Sequence, residues 1–498
     1  MPIRLFPAAG LPGAVSVALA ICVFVSGASA QTLRPTIGSD LSDRDDLVVY
    51  EDDGVAGDGA PQARRVRDGA GDEGVGERSN PRAQSFGRAG LTSAGGGLTS
   101  VANPRANPIE TRARRIESDP YAPQGIRIGT MRLFSEVTQS LGHSSNADLS
   151  AQGGASAFSQ TTGRTVLLSD WSRHSLRLEA GAGATHYVSE MTETEHDADV
   201  SGALNLDISQ GWDLILGFDY RLANESPSSV NLVSVPGLDL AGRPLAHEIK
   251  GAVALERTEG RATGLLRGSV TRSVFEHAEF TDGSRLSQSD RNNTEYQLTA
   301  RAGYAMSAAV TPFVQASFGL RDHDLYLDSG GFDRDASIYE GLVGVSLDFG
   351  EKLRGELRLG YHQEIAFDQA LADFGGVVLG GELIWSPVRL TTITASYETE
   401  FVESSSSGGE GTRYDIVAID IERALRPNLT INGRGAVAVQ GADSDETSTT
   451  WQAELGAEWA LNRSLSVTGK LGYENFVSSD DASDYDAVTA RVGITVKR

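Results

Sequence analysis

The sequence predicts an all-β protein: a transmembrane, antiparallel, up-and-down β-barrel of about 18 strands, with 16 as the alternative, preceded by a disordered N-terminal arm. Three observations predict it. From Ile126 onward the chain is a train of segments in which apolar and polar residues alternate; the connections between them alternate between tight and loose; and four of the five tryptophans fall in or beside the tight ones.

The alternation comes first. In "SLSVTGKLGYENF" (464–476), Leu465, Val467, Leu471 and Tyr473 fall on one side of an extended chain and Ser466, Thr468, Lys470 and Glu474 on the other, because side chains along a strand point to opposite faces in turn. "RHSLRLEAGAGATHYV", "EKLRGELRLGYH" and "WQAELGAEWAL" repeat the pattern. A soluble sandwich would bury the apolar face; a membrane barrel turns it toward lipid and the charged face toward a lumen.

The connections decide between the two. Tight ones are "SDWSR" (169–173), "SQGWD" (209–213), "RTEG" (257–260), "SAAVTP" (307–312), "FGEKL" (349–353), "SPVR" (386–389), "LRPN" (425–428) and "LNRS" (461–464). Between them lie longer polar ones, such as 223–244, 403–412, 441–448 and 478–484. Short turns on one side and long loops on the other is the asymmetry of outer-membrane barrels. Nine loops and eight turns give 18 strands; a short second strand, at about 163–169, is the reason to keep 16 open. An even number returns both ends to the periplasm, and at this width side chains cannot fill the lumen.

Aromatic residues supply an independent check. Trp171, Trp212, Trp385 and Trp459 mark the turn level, while Tyr187, Tyr220, Tyr361, Tyr397 and Tyr473 lie toward the loop ends. Two such belts fit the two membrane interfaces. The face opposite the lipid is then charged: Arg177, Glu179, Asp219, Arg221, Lys250, Glu256, Arg267, Arg301, Arg354, Glu356, Arg358, Glu382, Glu398, Arg434, Glu454, Lys470 and Glu474 are the candidate lumen-lining residues.

The N-terminal part is different. Residues 1–30 read as a secretory signal, with Arg4, an apolar run over 13–25 and a small-residue cleavage site, "ASA", at 28–30. Its removal takes away Cys22, the only cysteine, so disulfides and cysteine metal sites are not expected in the mature chain. Residues 31–120 are rich in Asp, Gly and Arg with almost no aromatics, and cannot bury enough apolar surface to fold; they are expected to form a disordered periplasmic arm, with the barrel spanning 121–498.

"YAPQGIRIGTMRLFSEVTQSLGHSSNA" (121–147), followed by "LLSDWSRHSLRLEAGA" (167–182), resembles the beta-barrel porin family of alphaproteobacteria, over roughly residues 120–498. The chain departs from it at Ser135, where Pro is common, and at Ser144 and Ser145, where acidic residues often stand. The resemblance implies an integral outer-membrane barrel with no catalytic residues to carry over; some relatives are associated with exopolysaccharide gene clusters. The chain also ends on Lys497 and Arg498 rather than on the aromatic residue of the usual assembly signal.

Composition and motifs limit the chemistry. A net charge of -24 opposes a nucleic-acid partner. Asp170, Ser172 and His174 sit close in sequence, but alternation across a turn points them apart. The eight histidines lack ligand spacing, so neither metal nor cofactor is expected. The acidic loops, with Asp443, Asp445, Glu446, Asp480, Asp481 and Asp484, read as solvated mouths that draw in cations. The expected partners are outer-membrane lipid, lipopolysaccharide and the barrel assembly machinery. The expected function is a porin-like channel for passive diffusion of small polar solutes or ions; an exopolysaccharide or substrate-specific channel, or a structural barrel, is the alternative.

Overall fold

The computed structural model describes residues 120–498 apart from 152, 190–193, 226–242, 281–282, 404–410, 443–446 and 480–483. The leader, the arm up to residue 119, and Asp443, Asp445, Glu446, Asp480 and Asp481 lie outside the described residues. Among those described, eighteen long strands form the wall: β1 (Met131–Ser144), β2 (Ser156–Ser169), β3 (His174–Tyr187), β4 (Glu195–Ser209), β5 (Trp212–Asn224), β6 (Leu245–Glu259), β7 (Ala262–Phe275), β8 (Asn293–Tyr304) and β9 (Val310–His323), then β10 (Ala336–Asp348), β11 (Leu353–Ala366), β12 (Phe374–Trp385), β13 (Thr391–Val402), β14 (Thr412–Arg426), β15 (Leu429–Ala442), β16 (Thr447–Asn462), β17 (Leu465–Ser478) and β18 (Tyr485–Lys497). Each pairs antiparallel with its neighbours in sequence, and β18 pairs with β1 from Lys497↔Glu136 to Thr489↔Ser144. Closure leaves no sheet edge, which is what lets strands cross a membrane. No helix among the described residues is long and apolar enough to do so.

The second strand is the one the sequence shortened. It runs Ser156–Ser169, not 163–169. Its first half carries Ser156, Phe158, Gln160 and Thr162 inward and Ala157, Ser159, Thr161 and Gly163 outward, so the one large apolar residue lies inside and no apolar outward face reveals a period of two. The eight turns are as short as expected, and Gly211, Gly260 and Gly350 take positive φ in three of them, a conformation that glycine adopts without a Cβ penalty.

The outer face is apolar. Leu141, Val253, Leu298, Val314, Leu359, Leu455, Leu471 and Val492 all project from the barrel and are exposed. Trp212, Trp385 and Trp459 project outward near the turns, and Tyr361 and Tyr473 nearer the loops. Trp171 lies in its turn and donates from Nε1 to Thr130 Oγ1 at 3.0 Å. Tyr220 bonds His247 Nδ1 at 3.1 Å, and Tyr397 donates to Asp415 at 2.9 Å. Tyr187 does not join this belt. It is only 8% exposed and packs inside against Phe158 and Ala147, because it shares the parity of Arg177 and Glu179.

Candidate functional site: the charged interior

Cross-strand register carries the inward face around the barrel. One row of partners reads Lys497, Glu136, Arg164, Gly181, Asp199, Arg221, Glu248, so six charges of alternating sign cross seven adjacent strands from β18 to β6. Opposite charges on directly facing positions attract, where like charges would repel. The glycine in the row is a seat: a Cβ at Gly181 would collide with the Asp199 carboxylate. Gly380 does the same for Arg358, whose guanidinium passes over it from β11 to reach Glu398 of β13 at 3.0 Å.

Every charged residue that the sequence pointed to the interior occupies the inward parity of its strand. Most are brought together as ion pairs. Glu179 accepts from both Arg164 and Arg177. Arg301 makes a two-pronged contact with Glu356 at 2.9 and 3.0 Å, its guanidinium lying 4.0 Å from the Phe313 ring. Arg434 binds Asp420 at 2.8 Å, and Lys470 binds Glu454 at 3.1 Å. Glu474 accepts from Gln452 at 3.2 Å and from the Tyr485 hydroxyl at 2.9 Å. Asp219 faces Lys250 directly across β5 and β6; Arg267 faces Ala254, Glu256 faces Asp213, and Arg354 and Glu382 lie two rows apart on β11 and β12. Charged pairs of this kind are held by geometry and additional hydrogen bonds, since burial alone would penalise each ion.

The long-loop mouth also gathers charged residues outside the predicted set. Arg321, near the end of β9, is buried and binds Glu364 of β11 at 2.5 Å, Glu403 at 3.4 Å and Glu295 of β8 at 3.5 Å. His323 Nε2 lies 3.2 Å from Glu403, and its backbone N–H donates to Asp335 at 2.7 Å. Arg334, in the loop after β9, binds Glu403 at 3.0 Å. The signal was present: in "ASFGLRDH", Phe318 and Leu320 point out, so Ser317, Gly319, Arg321 and His323 point in. Burial by itself would raise the Glu403 carboxyl pKa, but the His323 hydrogen bond and the Arg321, His323 and Arg334 charges outweigh it and bring it down to about 2. Asp324, which follows His323 in the chain, is held low by its hydrogen bond to Arg272, a two-pronged contact at 2.6 Å.

The opposite part of the same mouth is aromatic. Phe476 stacks on Tyr485 with 5.3 Å between centroids and packs with Leu149 and Ala487, while Phe158 and Tyr187 pack with Ala147. The loop between β1 and β2 folds inward to cover them, held by Asn146, which donates to Ser150 O at 2.8 Å. Among the described residues no group of His, Cys, Asp or Glu is arranged to hold a metal ion.

The family model described as "Putative beta-barrel porin 2" matches residues 119–498. Among solved structures, the outer membrane protein opdK from Pseudomonas aeruginosa is 12% identical, with 74% of this chain and 99% of that chain covered and a TM-score of 0.37. OccK3 (OpdO), also from Pseudomonas aeruginosa, is 14% identical, with 74% and 95% covered and a TM-score of 0.36. The siderophore receptor PirA from the same organism is 10% identical, with 76% and 81% covered and a TM-score of 0.37. No curated protein matches the chain.

Proposed function

The chain belongs to the family "Putative beta-barrel porin 2", a family of porin-like outer-membrane barrels, and from that premise we propose that it is a non-enzymatic channel for passive diffusion of small polar solutes and ions. One observation carries the reading: a closed eighteen-strand wall that is apolar outside and lined inside by charges of both signs. A mixed lining in a barrel of this width suits water and small hydrated solutes, with selectivity set by charge at the narrowest level. Both ends of the wall, Met131 and Lys497, lie on the tight-turn side, which we assign to the periplasm. The outer face would contact lipid and, at the long-loop level, lipopolysaccharide, after insertion by the barrel assembly machinery.

The reading includes a lean toward cations. Glu195, Asp197, Glu225, Glu295, Glu364 and Glu400 each lie within two residues of a long-loop strand end, against Arg243, Arg291 and Arg321 among the described residues at the same level. Asp484, on another long loop, adds to them. A saccharide track would need open aromatic faces along the lumen; Phe158, Tyr187, Phe476 and Tyr485 are instead buried, which supports the small-solute reading over a polymer exporter. Reconstitution of refolded protein into planar bilayers tests the proposal: discrete conductance steps with weak cation preference that declines as salt rises are expected. Inserted, heat-modifiable barrels that conduct at no voltage would refute it.

A further inference from the structure

The wall has a break. The ladder between β12 and β13 consists of six pairs, from Trp385↔Ile393 to Gly380↔Glu398. Neighbouring ladders are much longer: β11 with β12 has twelve pairs, reaching Glu364↔Phe374, and β13 with β14 twelve, reaching Val402↔Thr412. Above Gly380 and Glu398, toward the long loops, the two strands therefore part. Side chains occupy the gap. Leu379 N–H donates to Thr399 Oγ1 at 3.3 Å, replacing a ladder bond. The Phe401 ring stacks on His362 of β11 at 4.7 Å with an interplanar angle of 5°, and packs with Phe374, Val378 and Leu342.

Because β13 leans inward here, the residue that follows it is carried past β12, β11 and β10 to the end of β9. That residue is Glu403, and it meets Arg334 at 3.0 Å, His323 at 3.2 Å and Arg321 at 3.4 Å. Glu295, Glu364 and Asp335 are the acidic groups that share these partners. The loop from Asp324 to Asp335 is thereby strapped at several points: Arg272 to Asp324, Asp290 to the Ser329 N–H at 3.0 Å, Asp368 to the Asp333 N–H at 3.3 Å, and Glu403 to Arg334. The last of these straps runs to the residue that follows β13.

We propose that Glu403, drawn inside through the break between β12 and β13, is the specificity-determining residue of the long-loop mouth: it clasps Arg334 and Arg321 and so sets both the cross-section and the charge of the pathway there. The inference rests on the channel reading. A clasp and a fixed charge make separable demands on experiment. Removing either partner of the Glu403–Arg334 pair releases the strap and enlarges the pathway, but the two removals change the charge in opposite senses.

The test is single-channel recording of the full chain carrying Glu403→Gln or Arg334→Gln, with heat-modifiable migration confirming a folded barrel in each case. Both variants should raise conductance roughly 1.5-fold or more over the parent, while Glu403→Gln moves the reversal potential toward anions and Arg334→Gln moves it toward cations. Should Glu403→Gln fail to fold, Arg334→Gln, a loop substitution, still reads the clasp. Parent-like conductance in the folded variants, with the parent conducting, overturns the clasp and leaves the channel reading standing. An inserted parent and inserted variants that all fail to conduct overturn both.

Discussion

Two stretches of the same rim are closed by opposite chemistry. On the β8–β11 side an arginine shared by three glutamates joins the strand ends; on the β17–β3 side, across the seam, four aromatic rings lie under an inward-folded loop. The ionic side depends on every member being satisfied, since removing one partner strands the others in a poorly hydrated place. The aromatic side depends on volume. The difference teaches that a barrel mouth can be narrowed either by contacts that respond to charge and protons or by contacts that respond to neither.

The largest effects break the two sides separately. Arg321→Met should cost roughly 3 to 5 kcal/mol, because Glu295, Glu364 and Glu403 lose their common cation. Phe158→Ala should cost a similar amount, roughly 3 to 5 kcal/mol, through lost burial and a residual cavity. Denaturant titrations of the refolded barrel separate them: the Arg321 penalty should shrink in acid, where the carboxylates protonate, and the Phe158 penalty should not. If both behave alike, the contrast between the two sides is wrong.

A third substitution sharpens the comparison by moving to the outer face that both sides share. Leu471→Arg, on the outward face at mid-strand, should cost roughly 2 to 4 kcal/mol near the bilayer midplane, whereas Thr468→Arg, on the inward face of the same strand, should be tolerated. Equal yields of heat-modifiable barrel would contradict that orientation. The smallest effect is a proton-dependent one. Because the Glu403 pKa is lowered from 4.5 to about 2 in the folded mouth, its contribution is complete above about 4.5 and is lost as pH falls through about 2. Conductance of the folded channel should therefore hold steady from neutral pH down through about 4 and rise only as pH approaches about 2, and Glu403→Gln should lack the rise.

How far the sequence reaches follows from which signals are local. The period of two and the turn chemistry set sixteen or eighteen strands, and only β2, whose first half has no large apolar residue on its outward face, blurs the count. Parity was a better guide than position: Tyr187 was placed in a belt by its distance from a turn, although counting by twos from Arg177 puts it inside. The same counting points Arg321 inward. What no local rule could supply is that Glu403 reaches Arg321, since that depends on how far one ladder extends before its strands part. Likewise Arg301 and Glu356, 55 residues and three strands apart, meet although register leaves them four residues out of line, the guanidinium reaching across the Phe313 ring.

The seam has a consequence for how the molecule comes into being. Thr138 and Thr495 share a hydrogen bond at 2.8 Å although 357 residues separate them, and Ser135 and Arg498 exchange backbone hydrogen bonds at 3.1 and 2.8 Å. Entropy is not the obstacle, because each doubling of a loop adds only about 0.6 kcal/mol to closing it. The obstacle is order in time. Until the last strand arrives, β1 presents a bare row of amide and carbonyl groups to any other strand nearby, so seventeen correct pairings still leave a template for aggregation, and only the eighteenth removes it.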